Sequence, residues 1–129
     1  MNAPDVPVAP VANIAAAFDL VHEPWQPHRL ASVNDHDVKV ARLVGEFVWH
    51  AHPDSDELFL VVAGRLTLQL RDRDVELGPD DIFVVPAGVE HRPRAEGEAL
   101  VVMVERAGTI NTGDNPGERT TEVRELPGA

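Results

Sequence analysis

The stretch GEFVWHAHPDSDELFLVVAG, residues 45–64, decides the reading of this chain. It carries His50-Ala51-His52 at the end of a segment rich in β-branched and aromatic residues, passes through Pro53-Asp54-Ser55-Asp56, and returns in an apolar run that Glu57 opens. Pro, Asp and Ser are turn residues. On an extended chain, residues i and i+2 share a face, so His50 and His52 aim two imidazoles at one place. The returning strand sets the Glu57 carboxylate beside them. His91 arrives after a second turn, Pro86-Ala87-Gly88-Val89-Glu90. Three imidazoles and one carboxylate suit Fe, Mn, Ni, Zn, Co or Cu as a divalent ion. An octahedral ion held by four protein donors keeps two positions open, the arrangement a catalytic metal needs.

Working outward, the spacing predicts short strands almost everywhere. Residues 38–51 read as one long strand with a bend at Gly45, and residues 57–63 as its return. Gly64-Arg65 marks a tight hairpin into residues 66–70, where Leu66, Leu68 and Leu70 share a face. Residues 75–77, 82–85 and 99–105 are further strands, with a loop at 94–98 and a last strand near 121–126. Ahead of these, residues 1–13 form a Pro-rich arm. Asn13 caps a short helix over 14–20, and 21–36 is irregular with one short strand near 30–33. Eleven Pro and nine Gly in 129 residues favour this many-stranded reading over a helix bundle. The fold class is all-β, a barrel or jelly roll that buries its strands and protects their edges. Three regions follow: an arm and dimerisation segment at 1–37, a barrel core at 38–106 and a C-terminal extension at 107–129.

Two motifs carry a family resemblance. Gly45, His50-Ala51-His52, Glu57 and Gly64 resemble the first cupin motif; Gly78, Pro86-Ala87-Gly88 and His91 resemble the second. Gly45 stands one residue nearer His50 than in the commonest form, and Ala95 stands where an Asn often follows the last His. The resemblance implies the cupin double-stranded β-helix, with His50, His52, Glu57 and His91 as ligands of one divalent metal. It also implies a homodimer in which N-terminal strands are exchanged, a role open to the segment before Val38 because Ile14, Phe18 and Trp25 need burial. The wording of residues 45–64 is similar to compact one-domain cupins labelled sugar-phosphate-isomerase-like, a label that reflects fold.

Strict alternation places Val48, Glu46 and Arg42 on the His50 face and Trp49 and Phe47 on the other. Glu46, with Glu57, is then a candidate acid or base. Arg42 is a candidate anchor for a substrate carboxylate or phosphate, the competing reading being an ion pair with Glu46. Phe59, Phe83 and Met103, together with Val61 and Val85, are core residues, and those facing inward give the pocket an apolar wall. His22, His28 and His36 have no ligand spacing and read as surface groups.

The chain has no Cys and no Tyr, and its formal net charge is −11. The first excludes thiolate chemistry and a phenol base; the second disfavours nucleic acid and anionic membranes as partners. No run approaches a membrane span, and the N-terminus lacks the basic region of a secretory signal, so a cytoplasmic location is expected. The functional expectation is a metalloenzyme acting on a small polar metabolite. It would isomerise or epimerise a sugar-like carbonyl, or use O2 to cleave an enol or diol. The alternatives are a non-catalytic ligand-binding or sensor barrel and a barrel whose metal is only structural.

Overall fold

The computed structural model describes residues 6–126. After an extended arm comes α1 (Ile14–Phe18), followed by β1 (His28–Val33), β2 (His36–Glu46), β3 (Glu57–Ala63), β4 (Leu66–Leu70), β5 (Asp74–Leu77), β6 (Ile82–Val85), β7 (His91–Arg106) and β8 (Arg124–Glu125). Asn13 caps α1, its side chain accepting from the Ala16 amide at 2.9 Å.

The architecture hangs on β7. Along one edge it pairs antiparallel with β2, from His36↔Arg106 to Glu46↔Arg94. Along the other edge it pairs with β4 over residues 91–94 and with β3 over residues 100–104. β3 also pairs with β6, β4 with β5, and β1 joins β2 to β8. The result is a rolled all-β sheet of the jelly-roll kind. Its interior holds Leu43, Phe59, Val61, Leu66, Leu68, Val101 and their neighbours. Burying each large apolar side chain contributes on the order of 1.5–3 kcal/mol. A second cluster packs Ala17, Phe18 and Val21 against Val40 and Val102 on the outer face of the sheet.

Three local expectations are corrected. The strand read over 38–51 ends at Glu46; residues 47–49 lie outside any strand, and His50 makes only a single bridge to His91. The loop read at 94–98 is part of β7, absorbed as a register shift in which Val44 pairs with Glu98 but Gly45 with Ala95. The two extra residues lie on β7, so Ala95, Ala99 and Val101 all stay on the inner face across the shift. His28 is buried, its Nδ1 3.0 Å from the Gln26 carbonyl, because β1 starts two residues before the expected strand. Phe18 and Trp25 find burial within their own chain. The other strand assignments and the capped helix match the sequence reading to within a few residues.

The β3–β4 hairpin depends on Gly64. Its φ is +81°, and a Cβ there would meet the Glu98 carbonyl oxygen of β7. Gly64→Ala should therefore lower stability by more than about 2 kcal/mol, read as a shifted urea midpoint with an unchanged m-value.

Candidate metal centre

His50, His52, Glu57 and His91 are all buried, and each offers one ligand atom within 4.8 Å of the others. Two atoms bound about 2.1 Å from one ion lie roughly 3.0 Å apart when cis and 4.2 Å when trans. The observed separations fall at that scale: 3.0 Å between His91 Nε2 and Glu57 Oε1, and 3.5 Å between His52 Nε2 and the same oxygen.

The tautomers are set by the backbone. His50 Nδ1 lies 2.8 Å from the Val48 carbonyl and His91 Nδ1 3.0 Å from the Val89 carbonyl. A carbonyl can only accept, so each Nδ1 carries the hydrogen and each Nε2 keeps its lone pair for the centre. Burial first, and then the neighbouring His91, push the His50 pKa down to about 4, which keeps that ring neutral. Neither nitrogen of His52 has a hydrogen-bond partner, although the ring is buried. Such an orphaned imidazole is costly unless something else satisfies it. A divalent transition ion fits this donor set and supplies what His52 lacks.

Strand pairing holds only half of the cluster. Glu57 opens β3 and His91 opens β7, while His50 and His52 sit on the irregular segment after β2. That segment is fixed from both sides. The His50 and His91 backbones exchange hydrogen bonds of 3.0 and 2.9 Å. From the other side the C-terminal extension closes on it. Asp114 Oδ1 accepts from the Ala51 amide at 2.8 Å, and the Asp114 amide donates to the Ala51 carbonyl at 3.0 Å. Asn115 donates to the Trp49 carbonyl and Arg119 to the Glu46 carbonyl, each at 2.9 Å. Gly113, with φ +52°, lies so close that a Cβ would stand 3.0 Å from His52 Nδ1.

A compact cavity of about 40 Å³ opens beside the cluster. Phe59 and Met103 line it, as does Glu57; Phe83 does not, and packs part-buried against the core instead. Arg42 and Glu46 are elsewhere, because β2 turns its odd-numbered residues Ala41 and Leu43 inward and the alternation is lost only in the irregular residues 47–49 ahead of His50. Arg42 lies outside the barrel, donating to the Phe18 and Val21 carbonyls at 3.0 and 2.9 Å and pairing with Glu98. Its charge there complements the C-terminal end of α1. The Glu46 carboxylate is exposed and pairs with Arg92 at 3.7 Å. Trp49 packs on the outside beneath Arg71, and Phe47, expected there too, points inward with its ring edge-on to His50 at 5.4 Å.

Two further charged groups belong to the centre. Glu105 and Lys39 are buried, joined by a 2.7 Å ion pair. Glu105 Oε2 stands 3.9 Å from His52 Nε2, and the Glu105 carboxyl lies beside that of Glu57. Burial, and then the adjacent Glu57 carboxylate, push Glu105 up to about 9, against the pull of Lys39. Burial would raise Glu57 as well, but the His52 and His91 rings, 3.5 and 3.0 Å from its Oε1, hold it well below the usual carboxylate range. Of the two carboxyls Glu105 thus takes up a proton more readily than Glu57, with Lys39 beside it. The period-2 signal for both residues is present in the sequence: Lys39 is in phase with Ala41 and Leu43, and Glu105 with Val101 and Met103. The continuous apolar runs around them mask it.

Removing Lys39 strands the shared charge in the interior. Lys39→Met should cost about 3 kcal/mol in the ion-free protein. The double replacement Lys39→Met/Glu105→Leu should recover part of that loss. Urea unfolding of both variants measures the coupling.

Comparison with known proteins agrees with this geometry. The family described as Cupin domain matches residues 39–105. The uncharacterized protein YdbB of Bacillus subtilis (strain 168) is 36% identical over 107 residues, covering 81% of this chain and 95% of YdbB. A crystal structure of a cupin-2 domain containing protein from Shewanella frigidimarina superposes with a TM-score of 0.73 at 38% identity, covering 74% of this chain and 94% of that one. Protein NMB1881 from Neisseria meningitidis gives a TM-score of 0.70 at 26% identity, with 76% and 100% covered. The rolled sheet, the buried His and Glu cluster and these matches together make the chain a member of the cupin family.

Proposed function

We propose that this cupin is a metal-dependent enzyme acting on a small molecule, by isomerisation or epimerisation of a carbonyl compound or by O2-dependent cleavage of an enol or diol. The observation that carries the proposal is the convergence of four buried donors at the edge of a cavity, which leaves one side of the cluster facing open space. A bound divalent ion would act there as a Lewis acid toward substrate oxygens.

The chain's own groups then have distinct parts. The Val48 and Val89 carbonyls orient His50 and His91 through their Nδ1 hydrogens. Phe59 and Met103 exclude water from the cavity wall, which strengthens electrostatic interactions inside. Glu57 and Glu105 are the acidic groups that line the cavity, so proton movement falls to their carboxyls. Glu46, exposed on the rim, is not placed for it. A ligand-binding or sensor barrel remains the second reading; the cavity beside the cluster supports it equally, and turnover separates the two.

We also infer a homodimer. Leu58, Leu60, Val62, Leu100 and Val104 form a half-exposed aliphatic face on β3 and β7, continued by the exposed Ile82 and Val84 on β6. Val6, Val8 and Val11 of the arm are exposed as well. An uncharged face is where two copies of so acidic a chain can meet.

His52→Ala should lower ion content from roughly one per chain to near zero with the circular dichroism of the barrel retained; unchanged stoichiometry by elemental analysis defeats the assignment. Oxygen consumption against a panel of enols and diols, beside proton exchange of carbonyl substrates, separates the two chemistries. A panel with no turnover but a raised melting temperature favours the sensor. Multi-angle light scattering should give twice the 14.1 kDa chain mass, and a monomer at micromolar concentration removes the dimer.

A further inference from the structure

The cavity is mostly apolar. Along its wall Trp25, Leu43, Phe47, Phe59 and Met103 present carbon. Trp25 stacks on Phe47 with ring centroids 4.7 Å apart, and its indole N–H is already given to the Val44 carbonyl at 2.8 Å. Asn111 also borders the space; Nδ2 donates one hydrogen to the Arg119 carbonyl at 2.8 Å and Oδ1 accepts from the Thr121 amide at 2.9 Å, which leaves one N–H. His50 Nδ1 is bound to Val48. The acceptors that remain unspent are the donor cluster itself and Glu105 Oε2, a buried atom with no hydrogen-bond partner. The space is also small, about 40 Å³, room for roughly three waters.

We propose that the ligand of this site is a small amphiphile: a head bearing two adjacent oxygen donors, one of which also hydrogen-bonds Glu105, and a short body without hydroxyl groups that lies against Trp25, Leu43, Phe47 and Met103. The proposal rests on the metal reading above and selects within it. A polyhydroxylated, sugar-like body would bring several hydroxyls against a carbon wall that offers them one spare N–H, that of Asn111. Each such unpaired hydroxyl costs roughly tenfold in affinity. The enol or keto-enol branch of the proposed chemistry therefore fits the cavity, and the sugar branch does not. Glu105 acts as a partner for the head rather than for the body, since its free oxygen lies beside His52.

Two hydroxamic acids test this, because they share one chelating head and a four-carbon body. Wild-type protein is first titrated with Co(II) alone, followed by calorimetry and visible absorption. The Co(II)-loaded protein is then titrated with butanohydroxamic acid and with 2,3,4-trihydroxybutanohydroxamic acid. The expected result is a dissociation constant at least tenfold lower for the unsubstituted acid, with a changed Co(II) spectrum. Met103→Gln, which puts a polar group in the wall at nearly constant volume, should narrow that ratio. Equal or reversed affinities overturn the proposal while the metal reading stands, as does failure of both acids to bind loaded protein. Absence of stoichiometric Co(II) uptake in the first titration overturns the metal reading, and the proposal with it.

Discussion

Everything in this molecule depends on the bending of one two-stranded ribbon. His91 and Glu105 lie at opposite ends of β7, and a straight strand would hold them about 45 Å apart. Yet both reach the carboxyl of Glu57. β7 and its partner β2 must curl round the barrel until their ends meet, and the register shift between Val44 and Gly45 lies along that path. Bulges bend strands and increase their twist. The exposed residues Glu96 and Gly97 of β7, which the shift skips in pairing, take up the extra length on the outside. The donor cluster is a product of this curvature, since no short segment could bring the four groups together.

The same curvature explains the charge arrangement. Rolling the ribbon closed puts Lys39 and Glu105, from adjacent strands, behind Glu57 in a space already short of water. Burying charge is expensive unless it is paired, so the three groups form a unit in which the Lys39 ammonium pairs with Glu105, which lies beside Glu57. That unit sits next to His52, whose nitrogens find no partner. The centre therefore joins an over-supplied acid pair to an under-supplied base, an asymmetry a divalent cation relieves on both sides.

Local chemistry was enough to read the elements and the four donors. The Pro53–Asp56 turn, the Gly64 hairpin, the Asn13 cap and the spacing of His50, His52, Glu57 and His91 each follow from short-range rules, and the structure brings those donors together. What depended on longer range was not legible. Strict alternation carried back from His50 put Arg42 and Glu46 inside and Phe47 outside; residues 47–49 are not a strand, and the parity is lost there. Arg42 proves to be an outside brace for α1, a use that no spacing in its own strand announces. Lys39 and Glu105 were hidden because a buried charge inside an apolar run looks like an interruption until its partner, 66 residues away, is known.

The C-terminal strap changes what counts as the unit of this protein. The segment that matches the cupin family ends at residue 105, yet Gly113, Asp114, Asn115 and Arg119 hold the irregular stretch that presents two of the four donors. A boundary drawn by family likeness would keep every ligand and discard part of the vice that aligns them. Substitutions in this tail can thus reshape the centre without touching it, giving related barrels a route to diverge in reactivity while their signature motifs stay the same.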